Sequence, residues 1–596
     1  MTNTDRLTPA KLLLAACLAF TASAGISCSP LTAASDAPSR AHKAGSASLS
    51  ALGASANVLN ANAIVNFSPR NAVVDPASAN PHGRPVIRFD TQGNAVDAHD
   101  GEIKYFEGRY YLYGTSYDCG FRWASHGRSV FCGFKSYSST DLVHWKDEGL
   151  LFDPGPWQRQ RGFHCADHGC FRPHVLKNPA GKYVLWVNTA TGGVSYRVFV
   201  SDTPTGPFTL QPLPSKLLRL LWGGDHGLFK DDDGTAYLID TNYGADLQPT
   251  VEGASSEAFK LVVEKLNPDY TDGTGQYVRL PADAKGEAPT MFKRAGRYYI
   301  VYDAGCAYCP GGRASYVSAP NPMGPWSLGG VVTDDSCGGQ VAHVENLEGA
   351  YLFMSDLWYQ NKPYTFDPPT LYGNQGRANY FWGTLSFRGD GGLEPVACVA
   401  SLRPNPFLRF PGSQEQPPDL DQSSGVAGFS SACDIGVSGG KVQRLQTFKA
   451  GRSGILASVA FTAFQSGSIG GVASVNVVPD ADLNVEILEM TAAGQIGTRV
   501  ASFVIPRTSI GFSARKVTVS PRIAVRAGQD YGILVHAAIS AASHGCYGFA
   551  YSDANPYPAG VQQVSTDGGR TFAIERNRAL RFETTVIPMP SDATDR

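Results

Sequence analysis

The sequence predicts an all-β protein, a five-bladed β-propeller followed by a C-terminal β-sandwich of jelly-roll type. One observation is a motif that recurs five times. Tyr111, Tyr183, Tyr237, Tyr299 and Tyr351 each open an apolar run, reading Tyr-Leu-Tyr-Gly, Tyr-Val-Leu-Trp, Tyr-Leu-Ile-Asp, Tyr-Ile-Val-Tyr and Tyr-Leu-Phe-Met. Strand-rich copies of about 50 to 70 residues are the mark of propeller blades. A second observation is the polar residue eleven or twelve positions before each tyrosine: Asp100, Arg172, Asp225, Glu287 and Gln340. If the strand before each turn lies innermost, these five converge near the central axis. The third is composition. With 65 Gly, 39 Pro, 11% aromatics and only 17% charged residues, the chain suits turn-rich β structure, and long helical periodicity is hard to find.

At 596 residues the chain is long enough for two cores and flexible segments. A net charge of −2 offers no electrostatic basis for a nucleic-acid partner. Arg6 and Lys11 flank an apolar run from Leu12 to Ile26, so residues 1–28 read as an export signal and place the protein in a secreted or periplasmic setting. That run is shorter than the ~20 apolar residues needed to cross a bilayer, and no other segment offers a transmembrane span. A lipid anchor through Cys28 is the alternative to a free chain, although Gly25-Ile26-Ser27 matches a lipoprotein cleavage site poorly. Residues 29–78, rich in Ala, Ser and Asn, read as a flexible leader.

The propeller is expected over 79–411. Thr205-Gly206-Pro207-Phe208 and Met323-Gly324-Pro325-Trp326 echo one another in the second and fourth blades, and Asp231-Asp232-Asp233-Gly234 is a tight turn in the third. A polar stretch with Pro417-Pro418 makes 412–425 a linker. Over 426–590, alternating runs such as Leu483-Asn484-Val485-Glu486-Ile487-Leu488 are broken by Gly, Asn and Asp turns, the pattern of a sandwich. No acidic pair stands out there, so it reads as an accessory module that binds carbohydrate or braces the propeller. Tyr547, Tyr551, Tyr557 and the Asp567-Gly568-Gly569 turn are its only hint of a surface site.

Ten cysteines follow Cys28, an even number that favours disulfides in an exported chain. Cys119 with Cys132, Cys165 with Cys170, and Cys433 with Cys546 are the natural pairs. Connectivity among Cys306, Cys309, Cys337 and Cys398 stays open. A zinc site at Cys306-Ala307-Tyr308-Cys309 lacks a second ligand pair.

Glycoside hydrolysis needs a carboxylic acid to protonate the leaving oxygen. In the inverting mode a second carboxylate, about 6.5–9.5 Å away, activates water. Asp100, Asp225 and Glu287 are the three acids at the key positions of the repeat. Their mutual repulsion, with partial burial, is expected to raise at least one pKa. A lone acid at a strand start usually just accepts turn hydrogen bonds, as Asp231 to Asp233 are expected to. Three at matching positions point to chemistry.

These stretches resemble glycoside hydrolase family 43. The resemblance rests on Asp100 before Tyr110-Tyr111, on Asp225 before Leu228-Phe229-Lys230-Asp231-Asp232-Asp233-Gly234-Thr235-Ala236-Tyr237, and on Glu287-Ala288-Pro289 before a Tyr-Tyr strand. It runs blade by blade over about 80–410 and implies an inverting five-bladed propeller enzyme acting on arabinofuranosides, xylosides or galactosides. By that resemblance Glu287 is the general acid, Asp100 the general base, and Asp225 the residue that tunes and orients the acid.

Asp97-Ala98-His99-Asp100-Gly101-Glu102, Arg172-Pro173-His174-Val175 and Gln340 are similar to the exo-β-1,3-galactanase branch. That branch typically has glycines where Asp100 and Glu102 stand, an acid where Phe171 stands, and a water-holding glutamine at Gln340. This chain therefore keeps a base the branch lacks and loses an acid it has. Gln340 also replaces a histidine that helps other members hold a central calcium; no cofactor is required, and a structural Ca2+ is compatible but not indicated.

Arg172 is a candidate for sugar hydroxyls or for a structural ion pair. His226, His99 and His343 line the pocket or serve structure. Trp222, Tyr308, Trp358 and Trp382 stack on sugar or belong to the core. The expected function is an exported, exo-acting inverting glycosidase on galactan or on arabinose- or xylose-containing polysaccharide. The alternatives are an α-L-arabinofuranosidase or β-xylosidase and, in another class, a non-catalytic carbohydrate-binding propeller. The expected partner is a poly- or oligosaccharide, and the protein is expected to be a monomer.

Overall fold

A computed structural model describes residues 63–68, 80–121, 130–158, 165–191, 194–218, 223–242, 259–304, 311–347, 349–358, 374–404, 420–425, 428–436, 440–469, 472–474, 477–553, 557–576 and 578–588. Nearly all regular structure among them is strand. The first two-thirds of the chain make five consecutive antiparallel sheets. Four have four strands and begin at His99–Phe106, Phe171–Lys177, Gly223–Lys230 and Glu287–Arg294. The fifth has three strands and begins at Gln340–Leu347. In each sheet the strands follow chain order, so each strand pairs antiparallel with the next in sequence.

Apolar packing ties these sheets in a cycle. Tyr113 and Phe134 of the first sheet pack with Leu185 and Phe199 of the second. Trp186 and Val198 then meet Leu228 and Leu238 of the third, Ile239 and Val263 meet Ile300 and Val317 of the fourth, and Val301 and Tyr316 meet Phe353 and Phe381 of the fifth. Met354 and Trp382 of the fifth return to Ile103 and Leu112 of the first. The five motif tyrosines are all buried in these seams. Phe208 and Trp326, from the two echoing Gly-Pro turns, are buried there too.

The cycle is closed by residues expected to be leader. Ile64–Val65 pairs with Ser401–Leu402 after the fifth sheet. The Asn66 side chain donates to the carbonyls of Trp382 (2.8 Å) and Val399 (3.2 Å) and accepts from Trp382 N–H (3.0 Å), standing in for a missing fourth strand. Ile64 and Phe67 are buried. The apolar spacing in Ala63-Ile64-Val65-Asn66-Phe67 carried this signal, but its setting in an Ala/Ser/Asn-rich stretch masked it.

Residues 420–588 form two further antiparallel sheets, of nine and six strands, around one shared core. Leu456, Val459, Phe549 and Phe582 of one face Phe448, Val485, Ile533 and Val535 of the other. Leu420–Ser423, expected in the linker, pairs with Phe582–Pro588 as part of the larger sheet. Tyr547, Tyr551 and Tyr557 lie in the core and not on the surface, because they alternate inward on their strands or fold back onto Phe582. That removes them as a surface sugar site.

Among the described residues four disulfides form, at Cys119–Cys132, Cys165–Cys170, Cys337–Cys398 and Cys433–Cys546. Disulfides of this number suit a chain that folds outside the cytoplasm. Cys28, Cys306 and Cys309, the export signal and most of the leader lie outside the described residues. No helix among the described residues is long and apolar enough to cross a membrane.

Candidate active site

Each of the five first strands carries a register irregularity near its start. It falls between His99 and Glu102, Phe171 and His174, Gly223 and His226, Glu287 and Thr290, and Val341 and His343. Bulges of this kind re-aim side chains and recur beside functional sites. Asp100 (φ 55°), Arg172 (φ 57°) and Ala288 (φ 52°) take left-handed backbone within them, a conformation that non-glycine residues hold only when their surroundings enforce it.

The pairing refines the repeat read from sequence. Glu287 and Gln340 share the ladder position of His99 and Phe171, opposite Asp303, Asp356, Thr115 and Asn188. Asp100 and Arg172 lie one residue further along, level with Ala288, and Asp225 one further again. The five polar residues thus occupy three adjacent levels and not one. Counting back from the tyrosines blurred this, because the turns between first and second strands differ in length.

Arg172 joins these levels. Its Nη2 stands 2.9 Å from Asp225 Oδ2 in the third sheet. Its Nη1 donates to the carbonyls of Val341 and Ala342 in the fifth, both at 3.3 Å. Its backbone N–H donates to Asp100 Oδ1 in the first at 3.2 Å. Asp225 Oδ2 also accepts the Ala288 N–H at 3.2 Å, so it is fastened to the residue that follows Glu287. Asp100, Arg172, Asp225 and Gln340 are nearly buried, while Glu287 keeps partial exposure.

Burial is the largest influence on Asp100 and pushes its carboxyl up to about 7; Arg172 opposes this, Asp356 adds to it, and a 2.7 Å hydrogen bond from Thr115 Oγ1 opposes it. The repulsion expected among Asp100, Asp225 and Glu287 is therefore not what raises this group. The neighbouring carboxylate that does is Asp356, whose Oδ2 also accepts the Asp100 N–H at 2.8 Å. A carboxyl near neutrality is suited to proton transfer in either direction.

Beyond the bulges a second ring faces inward: Glu102, His174, His226, Thr290 and His343. His226 has no exposed surface, and its ring meets His174 (5.1 Å) and Tyr196 (5.0 Å). Burial first, then the charges of His174 and Arg172, hold its imidazole neutral. It lies beneath the acid layer and not in reach of a sugar, because the residue after Asp225 turns inward past the bulge. His99, also buried, stacks on Tyr380 at 4.8 Å. His343 hydrogen-bonds Thr290 at 3.0 Å and Glu345 at 2.8 Å.

Donor atoms of Glu102, His174 and His343 lie close enough together to hold a cation. However, Lys104 Nζ sits 3.4 Å from both Glu102 Oε2 and His343 Nε2, and 2.7 Å from Glu345. Burial alone would raise Glu102, but Lys104 and His174 hold it down to about 2. Two imidazoles, one carboxylate and an ammonium are a poor match to an ion that seeks six or more oxygens, as Ca2+ does.

Among the aromatic candidates, Trp358 is partly exposed and its Nε1 donates to Gln340 Oε1 at 2.9 Å. Trp382 is core, with the Arg88 guanidinium 3.4 Å over its ring, so it offers no surface to a sugar. Trp222 and Tyr308 lie outside the described residues. Sequence reasoning missed Thr115 and Asp356, which touch Asp100. The signal was there: a polar residue recurs four or five positions after the motif tyrosine at Thr115, Asn188, Asp303 and Asp356.

The model of glycosyl hydrolases family 43 matches residues 94–333. An arabinoxylan arabinofuranohydrolase of Paenibacillus polymyxa is 28% identical over 272 residues, 41% of this chain and 42% of that protein. One of Bacillus subtilis (strain 168) is 27% identical over 246 residues, 38% and 48% respectively. The chain spans about half the length of these curated relatives. The crystal structure of an exo-β-1,3-galactanase from Phanerochaete chrysosporium with galactose is 19% identical, covering 82% of this chain and all of that one, with a TM-score of 0.44.

Proposed function

We propose, with residues 94–333 identified as a glycosyl hydrolases family 43 unit, that the protein is an exported, exo-acting inverting glycosidase. Its five sheets are the blades of a propeller over 79–411, and the two-sheet region after about 420 is a jelly-roll-type module. Glu287 is the general acid and keeps the exposure a proton donor needs. Asp100 is the general base, with a carboxyl poised near neutrality. Asp225, held between Arg172 and the Ala288 N–H, orients and tunes the acid. Gln340 and Trp358 hold sugar or water at the rim, and Arg172 fixes the three acids relative to one another.

The observation that carries this reading is the Arg172 bridge. One guanidinium and its own N–H tie Asp100 and Asp225, from two different sheets, beside the strand that begins with Glu287. A purely structural ion pair would satisfy Asp225 without also aligning a left-handed Asp100. The substrate class is a polysaccharide with terminal arabinose, xylose or galactose units. The names of the curated relatives favour arabinofuranosides, and the Arg-Pro-His and Gln340 motifs favour β-1,3-galactan.

A panel of nitrophenyl glycosides together with β-1,3-galactan and arabinoxylan separates these, run with wild type, Glu287→Gln and Asp100→Asn. Turnover by wild type and its loss in both variants is the expected result. Turnover that survives Glu287→Gln rejects the acid assignment. Binding without cleavage favours a non-catalytic carbohydrate-binding protein.

A further inference from the structure

The loop around 511–516 of the C-terminal region reaches back into the five-sheet region and touches three of its segments, at Asn94–Ala95, Asp118 and Asn374. Phe512 N–H donates to Asp118 O at 2.9 Å and Ser513 N–H to Asp118 Oδ1 at 3.0 Å, and Arg515 forms an ion pair with the same carboxylate. Ala95 N–H donates to Ala514 O at 2.7 Å, and Lys516 N–H to Asn94 Oδ1 at 3.0 Å. The buried Asn374 side chain donates to Phe512 O at 3.0 Å.

The fit is close enough to exclude a methyl group. A Cβ on Gly511 would lie 2.1 Å from Asp118 Oδ1, and one on Gly376 would lie 2.8 Å from the Phe512 carbonyl carbon.

What these contacts hold is an aromatic wall. Asp97, just after the 94–95 contact, accepts from Ser116 Oγ (2.6 Å), Tyr117 N–H (2.9 Å) and Asp118 N–H (3.0 Å). The segment is thus pinned from one side by Asp97 and from the other by Ser513 and Arg515. The Tyr117 ring meets His99 and Trp358 edge-on, both with centroids 5.7 Å apart. Trp358 in turn donates to Gln340. A continuous path of contacts therefore runs from Arg515 through Asp118 and Tyr117 to Trp358 and Gln340.

We propose that Arg515 and Asp118 are positioning residues for the substrate pocket, and that the C-terminal region sets the placement of Trp358 and Gln340. This rests on the glycosidase reading for its kinetic arm only. Displacing a substrate-positioning group by about 1 Å costs on the order of 100-fold in rate, and a loosened wall costs part of that.

The test uses the full chain with Arg515→Ala, Arg515→Lys, Asp118→Asn and, as a control in the same loop, Lys516→Ala, whose side chain pairs with Glu583 inside the C-terminal region. Acrylamide quenching of Trp358 is obtained by difference, each variant with and without Trp358→Phe. Arg515→Ala and Asp118→Asn are expected to raise Trp358 quenching about twofold or more and to lower kcat/KM on the best glycoside about tenfold at a temperature where all remain folded. Arg515→Lys is expected to recover most of both, and Lys516→Ala to match wild type.

Unchanged quenching in Arg515→Ala and Asp118→Asn overturns the proposal, as does a melting shift in them with quenching and kinetics intact. If wild type cleaves no sugar, the glycosidase reading fails by itself, and the quenching arm still decides the positioning claim.

Discussion

Arg172 Nη2 and Asp225 Oδ2 stand 2.9 Å apart in a site where both side chains are almost wholly enclosed. A buried charge is tolerated only when paired and hydrogen-bonded, and each of these groups supplies the other's partner. The Nη1 of the same guanidinium donates to the carbonyls of Val341 and Ala342. The pair is thus a rigid strut between sheets, and the positions of the acids depend on it.

Arg172→Met leaves Asp225 buried without its cation. Breaking one side of a buried pair costs about 3–5 kcal/mol, so denaturant unfolding is expected to show a loss of that order. Activity is expected to fall by about 100-fold or more where the variant is still folded. Arg172→Lys keeps the charge but not the fork and is expected to lie between. A variant with wild-type stability and rate would remove the strut from the account.

Asp100 must be ionised to act as a base, and its carboxyl is held up at about 7. kcat/KM is therefore expected to rise with pH through a limb near 7. Thr115→Val removes a bond that favours the carboxylate and is expected to move the limb upward. Asp356→Asn removes a charge that disfavours it and is expected to move the limb downward. The same group affects stability with a defined sign. The unfolded chain releases this proton near pH 4 while the folded chain keeps it to about 7, so its contribution falls as pH rises across that window. pH–rate profiles of the two variants check the directions.

Trp358 and Trp382 separate by function. Trp382 is enclosed with Trp145 and Arg88 against it; its replacement by Ala is expected to cost about 3–5 kcal/mol. Trp358→Ala, at a partly exposed site, is expected to cost little stability and to raise KM. Unfolding curves and Michaelis parameters on the same two variants distinguish the roles.

Asn66→Ala tests how the cycle of sheets is closed. It leaves the Trp382 N–H and two carbonyls without their side-chain partner. The two Trp382 groups are buried, each buried polar group so orphaned costs about 1–3 kcal/mol, and a loss of about 2 kcal/mol or more is expected in chemical denaturation. A loss below about 1 kcal/mol would mean that Ile64–Val65 and its partner strand close the cycle unaided.

The repeat was legible because each second strand carries, within its first three residues, a tyrosine that fills an inter-sheet seam. Of the three cysteine pairs expected from the sequence, Cys119–Cys132 and Cys165–Cys170 close short loops that bring their ends together, whereas Cys433–Cys546 spans 113 residues and is brought together by the pairing of Phe429–Ile435 with Gly545–Asp553. The ladder level of each site residue was not legible. It depends on bulges and turn lengths that leave little trace in a residue count, which is why a count puts Asp100, Asp225 and Glu287 at one level. Thr115 and Asp356 went unread because their importance lies in touching Asp100 across a strand and across a sheet boundary. The strand at Ile64–Val65 was lost in a polar setting. Pairing with a strand more than 330 residues away, at Ser401–Leu402, is a contact that no local pattern announces.

The central claim, that Glu287 protonates the leaving group, is tested most directly by the dependence of Glu287→Gln on leaving-group pKa. A dinitrophenyl glycoside needs little protonation, whereas a phenyl glycoside or the natural polysaccharide needs it fully. The account predicts that Glu287→Gln keeps activity within about tenfold of wild type on the first and loses about 1,000-fold or more on the second. An equal loss on both, or none on either, would contradict it.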